Sequence, residues 1–136
     1  LGNGLIRMIG VSNFNLQQII NARRFLKKND ISAVQLEYNI YHRKPEADVL
    51  PYCEKEGIAF MAYYPLAHGK LVRDKNILKI SQDTGLPPAQ LALKWLLRNP
   101  IVFPIPRASK AEHVIEDAQA SDLEVDGSIL DKLSSL

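Results

Sequence analysis

The chain has 136 residues, of which 46% are hydrophobic and 24% charged, and its formal net charge is +2. The interspersed charges exclude a nucleic-acid-binding arm and a polybasic membrane anchor, and the single cysteine, Cys53, excludes an intrachain disulfide. The sequence has neither a signal-peptide pattern nor a long apolar span. We therefore expect one cytoplasmic domain over residues 1–136, a buried Cys53, and neither nucleic acid nor membrane as a partner.

The first predicted elements are a strand over 5–11 and a helix that follows it. The strand is apolar and rich in β-branched residues. Asn15 can cap the helix, and Gln18, three residues later, can complete a capping box. Lys27 and Lys28 stand near the expected carboxyl end of the helix, where the helix dipole favours cations.

A second strand over 33–38 and a third over 58–63 enclose another helix. This helix is expected to begin near Pro45 and to end at Gly57, which suits the left-handed residue after a helix. Pro51 lies inside the segment and predicts a kink or a late start, because proline has no backbone N–H to donate.

Two helices, over 74–84 and 89–98, precede a fourth strand over 101–105. Ser109 with Glu112 forms the pattern of a capping box for the next helix, and a short apolar helix ends the chain. Four strands that alternate with helices predict a parallel sheet. A (β/α)8 barrel needs about 250 residues, so these four units would make half a barrel. A flavodoxin-like doubly wound sheet is the alternative that periodicity leaves open.

Polar or aromatic residues follow each predicted strand. They are Ser12-Asn13, Gln35 to Asn39, Tyr63 to Leu66, and Arg107 to Ser109. Ligands bind outside the carboxyl ends of strands in folds of this class, so we expect a binding site there. The Gly-x-Gly-x-x-Gly pattern of a Rossmann site is absent. Phosphate could bind at the start of the helix after Ser109, beside Arg107, Lys110 and His113.

Four segments together resemble a known family. They are Ile9–Phe14 (IGVSNF), Gln35–Asn39 (QLEYN), Ala62–Leu66 (AYYPL) and Ile105–Ser109 (IPRAS). In this order and spacing they are similar to the second half of an aldo-keto reductase. The resemblance implies an α/β fold that is half of a TIM (β/α)8 barrel. The four βα units would correspond to strands five to eight, followed by a carboxyl-terminal helix.

The resemblance also implies a nicotinamide cofactor. Ser12, Asn13 and Gln35 would hydrogen-bond its carboxamide, since such groups supply both donors and acceptors. Tyr63 would stack on the nicotinamide ring. The segment from Tyr64 to Gly69, which includes Leu66, would wrap the pyrophosphate, largely through its backbone.

The resemblance further implies that residues near the start of the helix after Ser109 bind the adenosine end of the cofactor. Arg107 would meet the 2′-phosphate of NADPH, and Ser109 would cap the helix while able to contact phosphate. Glu116 would face the adenine amino group. His113 stands where many family members have Arg, and Asp117 where Asn is common. We therefore expect NADPH, with NADH as the alternative.

The family's catalytic Tyr, Lys, Asp and His would lie upstream of Leu1, so we assign no catalytic residue and no metal ligand here. A chain that opens on Leu1 rather than Met suggests a processed, proteolysed or cut piece. We expect the cofactor-binding part of a reductase that transfers hydride to aldehydes or ketones. The alternative is a non-catalytic half-barrel that binds nucleotide, regulates or self-associates. The expected partners are a carbonyl substrate in the full enzyme and either a companion amino-terminal half or a second copy.

Overall fold

The computed structural model describes residues 4–26 and 29–136. Four parallel strands form one sheet in chain order: β1 (Ile9–Ser12), β2 (Ile31–Glu37), β3 (Ala59–Tyr63) and β4 (Val102–Ile105). The helices are α1 (Leu16–Phe25), α2 (Val49–Glu56), α3 (Lys75–Thr84), α4 (Pro88–Leu97), α5 (Ala111–Gln119) and α6 (Gly127–Ser134). Consecutive strands are neighbours in this sheet, which is the order of a barrel and not of a doubly wound sheet.

Local signals in the sequence set the helix limits. Asn15 and Gln18 form the predicted capping box at the start of α1, with both hydrogen bonds at 2.9 Å. Gly57 ends α2 with a φ of 65°. A 3-10 turn over Lys44–Ala47 precedes α2, so Pro51 falls in its first turn, where a missing N–H costs nothing. The late start is thus confirmed. The predicted positions of Lys27 and Lys28 lie outside the described residues.

The sheet packs against its helices through one face. Val34, Phe60 and Ala62 are fully buried on that face, and Trp95 of α4 and Cys53 of α2 join the same core. Burial raises the pKa of the Cys53 thiol to about 11, and the charge of Arg23 only partly opposes it. Cys53 is therefore an inert packing residue, as expected from the sequence.

The opposite face of the sheet, which we call the inner face, is largely open. Strand alternation places Gln35, Met61, Tyr63, Phe103 and Ile105 on this face, since they pair across the strands in register. Phe103 is 52% exposed and Ile105 is 40% exposed. Within residues 4–26 and 29–136, no element covers these side chains or pairs with the outer edge of β1 or β4.

Two predicted boundaries are wrong. The strand expected over 5–11 begins only at Ile9, because its partner β2 begins at Ile31 and offers no register mate to the residues before Ile9. Ser109 does not cap α5. Lys110 occupies the cap position with extended backbone and no side-chain cap, so Glu112 is one residue too early to complete a capping box.

Candidate functional site

An open cleft lies where the carboxyl ends of the strands meet. The parallel register aligns Ser12 with Gln35 and Glu37 with Tyr63. Five residues line this strand-end cleft, whose volume is about 520 Å³: Asn13, Gln35, Tyr63, Tyr64 and Ile105. All of them except Ile105 belong to the predicted site, and the exposed Ser12 lies beside Gln35. The fold therefore brings together side chains that are up to 92 positions apart in the sequence, from Asn13 to Ile105.

Asn13 is held by its backbone and by its side chain. Its φ is 59°, a left-handed conformation that asparagine tolerates better than most residues. Its backbone N–H donates to the carbonyl of Gln35 at 3.0 Å. The hydroxyl of Tyr63 donates to Asn13 Oδ1 at 2.8 Å. The amide of Asn13 is therefore fixed in position between β1 and β3.

Asn39 stabilises the site through hydrogen bonds. It lies in the predicted segment Gln35 to Asn39, but no role was predicted for its side chain. Its side chain is only 2% exposed. Its Nδ2 donates to the carbonyl of Tyr64 at 3.1 Å, and its Oδ1 accepts from the backbone N–H groups of Tyr41 and His42 at 3.1 and 2.9 Å. Asn39 thus ties the segment after β2 to the segment after β3. An amide that directly follows a buried strand, in the motif Gln35–Asn39, was the available signal.

The segment after β3 has unusual backbone geometry. Tyr64, Ala67 and His68 have φ values of 51°, 49° and 53°, and Gly69 has 78°. Non-glycine residues in this region are strained, and such strain concentrates at functional sites. Leu66 is partly buried within the segment. The ring of Tyr64 contacts that of His68, with centroids 3.7 Å apart and the two planes tilted by 42°.

A second hydrogen bond links the segment that follows β2 to the start of α3. Tyr41 Oη donates to Asp74 Oδ2 at 2.8 Å, and Asp74 also caps α3. This hydrogen bond lowers the pKa of Asp74. Burial, followed by the Asp74 contact, raises the pKa of Tyr41 above that of a free phenol.

A second group of predicted residues lies on and just before α5, and we call it the α5 group: Arg107, Ser109, His113, Glu116 and Asp117. None of them lines the strand-end cleft. Arg107, Ser109 and His113 are exposed, whereas Glu116 and Asp117 are partly buried. His113 Nδ1 lies 3.6 Å from Glu116 Oε2. Burial and the Glu116 charge raise the pKa of Asp117, and His113 opposes this rise.

Residues 4–26 and 29–136 contain neither a candidate metal site nor a candidate membrane-spanning helix. No group of three or more His, Cys, Asp or Glu side chains is placed there to hold a metal ion. No helix in that part of the chain has the length and apolar character needed to cross a membrane.

Comparison with known proteins identifies the family to which this geometry belongs. The sequence profile of the Aldo/keto reductase family matches residues 2–136. The chain belongs to this family. An uncharacterized oxidoreductase of Schizosaccharomyces pombe is 38% identical over 132 residues, which are 96% of this chain and 42% of that protein. Pyridoxine 4-dehydrogenase of Escherichia coli is 32% identical over 134 residues, which are 98% of this chain and 46% of the enzyme.

A solved aldo-keto reductase establishes the fold of the chain. The enzyme from Klebsiella pneumoniae, crystallised in complex with NADPH, superposes with a TM-score of 0.91 at 32% identity. The superposition covers 98% of this chain and 49% of that one. The expected aldo-keto reductase resemblance and the α/β half-barrel are thus confirmed, and the chain spans about half the length of the relatives it matches.

Proposed function

We propose that this chain is the cofactor-binding part of an NAD(P)H-dependent aldo-keto reductase that reduces aldehydes or ketones. The observation that carries the proposal is the strand-end cleft, in which two amides, Asn13 and Gln35, lie beside the ring of Tyr63. Amides can pair with a planar carboxamide through both donors and acceptors, and an aromatic ring can stack on a pyridine. Ser12, aligned with Gln35, adds a hydroxyl to the same wall.

The rest of the cofactor would extend from this cleft toward α5. The strained segment from Tyr64 through Leu66 to Gly69 would wrap the pyrophosphate, since its backbone turns sharply there. In the α5 group, Arg107, Ser109 and His113 would surround the 2′-phosphate. Glu116 would face the adenine amino group. The partly buried Asp117 carboxyl opposes a nearby phosphate, so the preference for NADPH over NADH would be modest.

The bound cofactor would supply hydride, and this chain would fix which face of the pyridine ring is presented. We propose no proton donor on the chain. The hydroxyl of Tyr38 donates to Glu46 at 2.7 Å, and that of Tyr41 donates to Asp74. Burial, followed by the carboxylate contact, raises the pKa of both phenols. A proton donor near neutrality needs the opposite shift, which a neighbouring cation produces.

We also propose that residues 1–136 form a single half-barrel domain that is completed by a partner. Large apolar side chains are exposed near both sheet edges: Leu5, Met8 and Phe25 near β1, and Phe103, Val114 and Ile115 near β4. Unpaired edges and exposed apolar side chains favour association. The occupant we favour is the amino-terminal half of a family barrel, because the chain covers only 49% of the superposed Klebsiella enzyme.

The same exposed edges support a second candidate, a self-associating and non-catalytic nucleotide-binding module. A twofold axis through the barrel centre would place β4 of one copy beside β1 of the other and keep all strands parallel. Sedimentation at increasing concentration, first of the chain alone and then with a separate amino-terminal half, distinguishes the two candidates. A dimer supports the second candidate, whereas a folded monomer that associates only with a separate amino-terminal half supports the first.

The cofactor proposal is tested by titrating the chain with NADPH and following nicotinamide fluorescence, in parallel with 2′,5′-ADP, which lacks the nicotinamide. We expect both to bind, and we expect Gln35→Ala to weaken NADPH about tenfold with no effect on 2′,5′-ADP. The control is Gln82→Ala, because Gln82 is an exposed glutamine on α3. Failure of both nucleotides to bind would refute the proposal. Reduction of an aldehyde by the chain alone would refute the view that catalysis needs further residues.

A further inference from the structure

The hydroxyl of Tyr63 makes a hydrogen bond that stacking of its ring would not need. Its oxygen lies 2.8 Å from Asn13 Oδ1 and donates its proton to it. The amide oxygen of Asn13 is thereby used, and the two N–H donors of Nδ2 stay available. Among residues 4–26 and 29–136, Nδ2 has no hydrogen-bond partner, and Asn13 is exposed at the wall of the strand-end cleft.

The orientation of this amide decides what the cleft can recognise. An asparagine side chain can turn by half a rotation about its last bond and exchange an acceptor for two donors with little change in shape. In one orientation Asn13 would donate to a carbonyl oxygen on the ligand. In the other it would accept from an N–H group. In the structure the Tyr63 hydroxyl donates to Oδ1, so the amide is held in the first orientation.

Both partners are held so that the contact persists. The left-handed backbone of Asn13 is tied to the carbonyl of Gln35. Tyr63 is paired within the sheet to Glu37 and Ile105. Its ring also packs edge-to-face with that of Tyr64, with centroids 5.1 Å apart. The hydroxyl therefore reaches Asn13 from a nearly fixed ring.

Resting on the function proposed above, we propose that the Tyr63 hydroxyl is a positioning group for nicotinamide recognition. It holds the Asn13 amide with Nδ2 toward the cleft, so that Asn13 donates to the carboxamide oxygen of the cofactor. Tyr63 would then serve twice, through its ring on the pyridine and through its hydroxyl on the residue that reads the pyridine substituent.

A double-mutant cycle tests this role, with NADP⁺ and 2′,5′-ADP as the probes. Tyr63→Phe keeps the ring and removes the hydroxyl, and we expect NADP⁺ affinity to fall about five- to tenfold with 2′,5′-ADP unchanged. In an Asn13→Ala background, the same change should have no further effect, because the hydroxyl acts only through Asn13. Tyr52→Phe is the matched control, since the Tyr52 hydroxyl bonds Arg23 and lies outside the cleft.

Each outcome is decisive. An equal loss from Tyr63→Phe in both backgrounds, or no loss in the parent chain, would overturn the positioning role while leaving the cofactor site intact. A matching loss of 2′,5′-ADP binding would show a general structural effect and overturn it as well. Absence of any NADP⁺ binding by the unsubstituted chain would overturn both this inference and the proposed function. Retained circular dichroism and thermal midpoints confirm that the variants fold.

Discussion

The strand-end cleft and the α5 group are the two parts of the candidate site, and they are built differently. In the cleft, Asn13, Gln35 and Tyr63 are placed by strand register and by hydrogen bonds to backbone groups. In the α5 group, Arg107 is exposed and its surroundings are a helix start without a side-chain cap. In the proposed function, the cleft is thus organised before the cofactor binds, whereas the exposed side chains of the α5 group would be ordered by the cofactor.

This contrast has an energetic consequence for binding. Ordering a long exposed side chain on binding costs about 0.5–1.5 kcal/mol, whereas a group that is already fixed avoids most of that cost. The nicotinamide end should therefore give specificity that is sensitive to small structural changes. The adenosine end should give affinity that responds mainly to charge and to salt.

The largest expected effect comes from removing the buried support of the cleft. Asn39→Ala leaves the N–H of Tyr41 and the carbonyl of Tyr64 without their side-chain partners in a partly buried setting. We expect the free energy of unfolding in urea to fall by roughly 2–4 kcal/mol. Nicotinamide binding should weaken more than 2′,5′-ADP binding, because only the cleft depends on Asn39.

Asn21 provides the control for that change. It is exposed on α1 and accepts a hydrogen bond from Gln17. Asn21→Ala should alter the free energy of unfolding by less than about 0.5 kcal/mol. An Asn39→Ala variant as stable as Asn21→Ala would show that the cleft is not held in the way described.

A smaller, pH-dependent effect is expected at Asp117. Its pKa in the folded chain is raised, first by burial and then by the Glu116 charge, with His113 acting in the opposite sense. A raised carboxyl pKa means that the folded state favours the protonated form. Stability from this group is therefore full at pH values below the pKa of the unfolded chain and is lost as pH rises through the folded pKa.

Asp117→Asn should remove this loss. At pH 7 we expect a free energy of unfolding in urea that is higher than that of the parent by less than about 1 kcal/mol, and at pH 3 we expect equal values. The matched control is Asp122→Asn, which removes an exposed carboxylate just beyond α5. If Asp117→Asn were destabilising at pH 7, the carboxylate would be a favourable partner and the stated cause of its pKa shift would be wrong.

The sequence predicted the features that depend on the order of strands and helices better than those that depend on contacts between distant segments. The parallel sheet and the convergence of the cleft residues were predictable, because the βα alternation places strand ends at one rim whatever the detailed register. The barrel order of the strands followed only from the family resemblance, because alternation alone also fits a doubly wound sheet. The role of Asn39 was missed because it depends on a contact between two loops, in which Asn39 bonds the carbonyl of Tyr64, 25 positions away. The residues before Ile9 were misassigned because strand propensity does not show where a partner strand begins.

The smallest expected effect is at Ser109, where a local pattern was misleading. Ser109 and Glu112 match a capping box, but the extended backbone of Lys110 moves the start of α5 by one residue. Ser109→Ala should therefore change the free energy of unfolding by less than about 0.5 kcal/mol, as for an exposed surface residue. The matched change Asn15→Ala removes a cap that is formed, at about 1 kcal/mol. Urea unfolding of the two variants side by side measures the difference. Equal losses would mean that Ser109 caps α5 in solution, and the α5 group would then be as well ordered before binding as the cleft.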